Sequence, residues 1–190
     1  MSRPDKRDEI VRAAMELIAE HGFHGAPMAM VAERAGVAAG TIYRYFENKD
    51  VLICDTYAQL EEQILGAIMA GYPEGRPIRE CYLHICSRLV HYFLSSPMEF
   101  RFLEQFHNSP YGVAHRRDKL FGNKEKSIVM TVFEEGQGQQ IIKDLPLPIL
   151  CALTFGPLAD ACRDHILQFI ALDEALIDRI AEACWDAVRR

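Results

Sequence analysis

The chain has no run of about 18 consecutive apolar residues, which excludes a conventional transmembrane helix. Its first ten residues, MSRPDKRDEI, lack the apolar core of a secretory signal, so a cytoplasmic protein is expected. Six cysteines (54, 81, 86, 151, 162 and 184) include no C-x-x-C pair, which argues against a zinc ribbon or a disulfide framework. The expected role for them is that of small apolar residues. There is no glycine-rich phosphate loop and no Ser/His/Asp or paired-carboxylate constellation, so an enzyme and a cofactor are not expected. There is no basic excess either: 21 Lys and Arg face 27 Asp and Glu, a net charge of −6. Nucleic-acid binding, if present, must therefore use a local patch.

What the chain does have is helical periodicity, with almost no strand alternation. Between about Pro4 and His21, the residues Ile10, Ala13, Ala14, Leu17 and Ile18 form one apolar stripe, closed by Gly22. Two short segments follow, about Met28–Ala35 and Ala38–Phe46, joined at Gly36. Asn48 then reads as the N-cap of a long helix that ends before GYPEGRP. Further helices are expected over about Pro77–Leu94 and from the capping box Ser96-Pro97-Met98-Glu99 to Asn108-Ser109-Pro110. Residues 109–123 give no clear pattern. The remaining helices are expected at about Lys124–Glu135, from Pro146 to about Phe169 with a kink at Gly156-Pro157, and after an Asp173 cap. The expected architecture is all-α, with eight or nine helices.

Residues 28–46, MAMVAERAGVAAGTIYRYF, have the layout of a helix-turn-helix. Ala32 lets a second helix cross closely, and Gly36 tolerates the positive φ of a tight turn. Val31, Ala35, Val37, Ile42 and Tyr45 are placed to hold the two helices together. Ala39, Thr41, Tyr43 and Arg44 then face outward, where a major groove can receive them. A helical corner within a larger core would share some of these features. The longer string AGVAAGTIYRYFENKDVL, however, closely resembles the N-terminal signature of the TetR family of transcriptional regulators.

The resemblance covers about residues 4–64 and implies a DNA-binding transcriptional regulator, typically a repressor that a small effector releases from its operator. It implies a helix-turn-helix domain over residues 1–50, with the motif at about 27–46, and an effector-binding and dimerisation domain over 51–190. By family pattern the DNA-binding residues are Ala39, Thr41, Tyr43, Arg44, Tyr45 and Lys49. Thr41 and Tyr43 reach bases or backbone, Tyr45 helps hold the third helix, and Lys49 meets a phosphate at a helix N-terminus. Arg3, Lys6 and Arg7 could form a basic arm. The sequence departs from the family where cap hydroxyls are common: Ala26-Pro27 and Ala38 stand there. Residues 1–50 also hold seven basic against eight acidic side chains, so affinity must depend on dimerisation and a few well-placed contacts.

For the C-terminal region the family implies a homodimer and an effector pocket. The default effector is a small apolar or aromatic molecule, with His91, Phe102, Phe106, Met130, Phe133 and Phe155 as candidate lining. His84 and His91 share a helix face but have no third ligand at matching spacing, so no metal is expected. Candidate dimer residues on the last two helices are Leu150, Leu153, Leu158, Ala161, Ile177, Ile180, Cys184 and Val188, of which only part is expected at the interface. The partners expected are thus double-stranded operator DNA, an effector and a second copy, with no membrane. An all-helical enzyme and a protein-binding adaptor are the alternatives from other classes.

Overall fold

A computed structural model describes residues 5–121 and 127–190, except for the side chains of 119–121. Arg3 and the expected start of a helix near Lys124 lie outside the described residues. The described residues form ten helices: α1 (Lys6–His21), α2 (Met28–Arg34), α3 (Ala39–Ile42), α4 (Lys49–Met69), α5 (Ile78–Ser95), α6 (Pro97–His107), α7 (Pro110–Phe121), α8 (Ile128–Gly138), α9 (Leu147–Ile166) and α10 (Glu174–Val188). The only extended pairing among them is an isolated bridge between Ile142 and Arg189. The fold is all-α, as expected.

Local chemistry explains most helix ends. Asp5 caps α1 by accepting from the Arg7 amide at 3.2 Å, and Gly22 ends it at φ 69°. Asn48 accepts from the Val51 amide at 2.9 Å, and Asp173 from the Leu176 amide at 2.8 Å. Three expectations need correction. Ser96 is the N-cap of α6, but its side chain makes no capping bond, so Pro97 at the first turn remains the start signal. The pair Ser109-Pro110, read as a stop, also starts α7: Ser109 Oγ accepts from the Gly112 amide at 3.3 Å while donating to the Phe106 carbonyl at 2.6 Å. Helix α9 is continuous through Pro157 and ends at Ile166 rather than near Phe169.

The chain folds into two compact units. The first comprises Met1–Gln63 and Ser96–Arg116, and the second Ile64–Ser95 and Arg117–Arg190. Helix α4 passes from one to the other. This division differs from the expected 1–50 and 51–190 because α6 carries a strongly apolar face. Phe100, Phe102 and Phe106 are at most 2% exposed, and α6 packs against α1 rather than with the later helices. In the second unit α5 packs against α8, α9 and α10. The chain end is pinned there: the Lys143 amide donates to the Val188 carbonyl at 2.9 Å, and Lys143 Nζ to the Ala187 carbonyl at 2.7 Å.

This packing divides the expected dimer set into core and partly covered residues. Leu150, Leu158, Ile177, Cys184 and Val188 are fully buried within one chain, so their apolar stripes are satisfied without a partner. Leu153, Ala161 and Ile180 are only partly covered.

The α6–α7 corner sets a sharp steric requirement. A Cβ on Gly112 would lie 2.3 Å from the Phe106 carbonyl oxygen and 2.7 Å from His107 Cα, both backbone atoms that a rotamer change cannot move. Gly112→Ala should therefore lower unfolding stability by about 2 kcal/mol. Gly66→Ala, whose Cβ would meet nothing within 4 Å, should raise it by up to about 1 kcal/mol. Urea midpoints of the two variants check both signs.

Candidate nucleic-acid interface

Three helices of the first unit build the candidate interface. Helix α1 buries Ile10, Ala14, Leu17 and Ile18, α2 buries Val31 and Ala32, and α3 buries Ile42. Helix α2 packs against both of the others. The turn has the expected form. Gly36 sits at φ 66°, its amide bonded to the Glu33 carbonyl at 3.0 Å, and the Val37 amide bonds to the Ala32 carbonyl at 2.9 Å. Ala32 is 1% exposed, as a close crossing requires.

Helix α3 is shorter than expected. It is one turn, Ala39–Ile42, prolonged by turn bonds: the Arg44 amide to the Thr41 carbonyl at 3.1 Å, and the Tyr45 and Phe46 amides to the Ile42 carbonyl at 3.1 and 3.0 Å. Neither Pro27 nor Ala38 supplies a side-chain cap. The outward face carries Ala39, Gly40, Tyr43, Arg44 and Tyr45, with Thr41 half-buried beside them. Tyr43 is 57% exposed and Tyr45 40%. The anchoring role expected of Tyr45 falls to Phe46, which is 2% exposed with the Arg7 guanidinium 5.8 Å from its ring centroid. Ala35 and Val37 are only partly buried.

The basic residues near this face divide into two groups. Arg7, expected in a DNA-contacting arm, places one guanidinium nitrogen 2.6 Å from both Asp55 oxygens and ties α1 to α4. Arg34 is held by Glu16 at 3.3 Å and Glu20 at 3.2 Å; Glu20 foremost, then Glu16, raise its pKa further. Arg44 is exposed and has no carboxylate within ion-pair distance among the described residues. Lys49, at the first position of α4, donates from Nζ to the Phe23 carbonyl in the α1–α2 turn. Burial lowers its pKa from the ordinary lysine value, with the Asp50 carboxylate opposing.

The sequence did not point to the neighbours of Lys49. Tyr111 on α7 donates from its hydroxyl to Asp50 Oδ1 at 2.6 Å, and its ring lies 5.4 Å from that of Phe23. Asp50 foremost, then burial, pushes the Tyr111 pKa up to about 12. Tyr111 lies in the stretch whose pattern was unreadable, and no local signal links it to residues about 60 positions earlier.

The expected effector set does not form one lining. Phe102 and Phe106 are core of the first unit, Phe106 stacked on Tyr57 at 3.8 Å. His91 pairs with Glu174 at 3.2 Å, and Met130 is half-buried. Phe133 and Phe155 do share a cavity in the second unit with Tyr82, Ile85, Cys86, Val129, Val132 and Thr154, but its volume is about 10 Å³. Its one polar pair, the Tyr82 hydroxyl donating to Thr154 Oγ1 at 2.9 Å, is satisfied. Burial raises the pKa of the Cys86 and Cys184 thiols, and burial followed by Asp50 raises that of Cys54, so none of the three has thiolate character. His84 is bonded to the Ile68 carbonyl at 2.8 Å, and no group of three potential metal ligands occurs among the described residues.

Comparison with known proteins places this geometry. Residues 10–54 match the tetR family of bacterial regulatory proteins, and residues 77–189 match a tetracyclin repressor-like C-terminal domain. An HTH-type transcriptional regulator of Haemophilus influenzae is 23% identical over 190 residues, covering 100% of this chain and 98% of that protein. The fatty acid metabolism regulator protein of Bacillus subtilis is 40% identical over 57 residues, 30% of this chain and 29% of that protein. A TetR-family regulator from Vibrio parahaemolyticus is 32% identical, with 98% of this chain and 99% of that chain aligned at a TM-score of 0.78. The two family matches cover residues 10–54, which hold the glycine corner and α3, and residues 77–189, which hold α5 to α10. The chain belongs to the TetR family of helix-turn-helix, DNA-binding transcriptional regulators.

Proposed function

We propose that the protein is a repressor that binds its operator as a homodimer in the cytoplasm and is released by a small apolar or aromatic effector. The observation that carries the DNA part is the exposed α3 face, set on the fully buried Ile42 and Phe46. In this reading Ala39 and Thr41 approach base edges, Tyr43 and Tyr45 contact sugar and phosphate, and Arg44 reads a base or phosphate. Lys49, already held by the Phe23 carbonyl, keeps two further N–H donors for one phosphate. The functional division is then a reader over residues 1–50 and an effector and dimerisation region over 51–190. The reader draws its rigidity from helices later in the chain.

For the homodimer, the partly covered Leu153, Ala161 and Ile180 replace the fully buried candidates. The uncovered side of α9 adds Ile149, 46% exposed, together with exposed Ala152 and Gly156. Small residues there allow two helix pairs to pack closely about a two-fold axis. For the effector, the cavity beside Phe133 and Phe155 is the candidate entry point. At about 10 Å³ it holds no more than one water, so an effector must enlarge it. The 57-residue stretch aligned with the Bacillus subtilis protein is too short to carry that protein's metabolic role to this chain.

Two measurements test these assignments. Against an operator duplex selected from a random pool, Tyr43→Ala should weaken binding about tenfold or more with an unchanged melting temperature, since the side chain is exposed. Lys49→Met should reduce the slope of log K against log salt by about one unit per half-site. Equal slopes for wild type and Lys49→Met would remove Lys49 from the phosphate contacts. In sedimentation, wild type should be a dimer at micromolar concentration and Leu153→Glu/Ile180→Glu a folded monomer. A monomeric wild type would overturn the two-half-site reading.

A further inference from the structure

We propose that Tyr111 is a positioning residue for DNA binding, holding the Asp50 carboxylate so that Lys49 remains available to a phosphate. The inference rests on the operator-binding reading above. Lys49 and Asp50 are adjacent opposite charges in the first turn of α4, and the acid acts electrostatically on the ammonium. Left to itself, an exposed carboxylate there has two harmful options. It can draw the Lys49 ammonium toward itself, and it can repel the phosphate that the helix N-terminus and Lys49 would otherwise attract.

Tyr111 addresses both. Its hydroxyl donates to Asp50 Oδ1 at 2.6 Å, a short bond to a charged acceptor that fixes the carboxylate on the α7 side. The pKa of that hydroxyl is pushed up to about 12, Asp50 being the first cause, so the phenol stays protonated and donates throughout the physiological range. The Tyr111 ring lies 5.4 Å from the Phe23 ring and 6.5 Å from that of Phe106, so it is braced on both sides. Phe23 is also the residue whose carbonyl receives Lys49 Nζ. One aromatic side chain therefore supports the acceptor that holds the lysine and restrains the acid that competes for it.

The test uses full-length protein and an operator duplex selected from random DNA by the wild type. Tyr111→Phe keeps the ring and removes the donor. It should weaken operator binding about twofold per half-site, hence about fourfold for a dimer engaging two. In an Asp50→Asn background the freed side chain carries no charge, and the same Tyr111→Phe change should cost less than about twofold. A purely structural role for the hydroxyl predicts equal losses in both backgrounds, and that result, or no loss in either, overturns the proposal. A wild-type protein that selects no duplex overturns the operator reading and this inference together. Binding by wild type with the same affinity for Tyr111→Phe overturns this inference alone.

Discussion

The orientation of a single helical turn is the constraint on which the rest depends. Four residues of α-helix have no stability of their own, because nucleation costs more than one turn of bonds returns. Without a cap hydroxyl at Ala38, α3 gains no side-chain bond at its start. Its direction is set by what lies beneath it: Ile42 at 0% and Phe46 at 2% exposure. The Arg7–Asp55 pair sits beside the Phe46 ring and joins α1 to α4. Every outward side chain, from Ala39 to Tyr45, inherits its aim from this buried pair of residues and its lateral brace.

That arrangement explains how an acidic protein can present a DNA-facing surface. The net charge is −6, and much of the basic charge near the interface is spent internally. Arg7 stabilises the contact between α1 and α4, and Arg34 is divided between Glu16 and Glu20 on α1. What remains outward includes exposed Lys6 and Arg44 and half-buried Lys49, with two tyrosines beside Arg44. Tyrosine contributes area and a hydroxyl at small entropic cost, so contact need not come from charge alone. A few contacts of this kind yield useful affinity only when they are held rigidly and repeated by a second copy.

The fold class, the Asn48 and Asp173 caps and the Ala32–Gly36 corner were legible in the sequence because each rests on neighbours within about five positions. Asn48 and Asp173 cap where their side chains alone suggest they should. Long-range features were not legible. Phe100, Phe102 and Phe106 form an obvious apolar face, but nothing local says that the face belongs with α1. Their union moved a pair of later helices into the DNA-binding unit. Tyr45 reads from the sequence as the anchor of the third helix, and the structure buries Phe46 instead. The choice depends on where the helical turn ends, and the turn bonds after Ile42 rotate Phe46 inward. Ser109-Pro110 shows the limit of punctuation signals, since one dipeptide both ends a helix and starts the next.

The aromatic residues of the later helices illustrate a related ambiguity with a functional consequence. Large apolar side chains are required for a core and for an apolar binding site alike, so composition cannot separate the two. Here Phe133 meets Tyr82 at 6.2 Å and Tyr82 meets Trp185 at 5.1 Å, and the space left beside Phe155 is about 10 Å³. An effector entering there has to displace packed side chains, and the free energy of opening subtracts from its intrinsic affinity. The same opening gives the effector its means of regulation. A ligand that binds only the opened packing shifts the population toward that packing, whereas one that bound both packings equally would shift nothing. Close packing of the second unit is therefore compatible with an effector-responsive protein, provided that the ligand repacks the core rather than filling an existing vacancy.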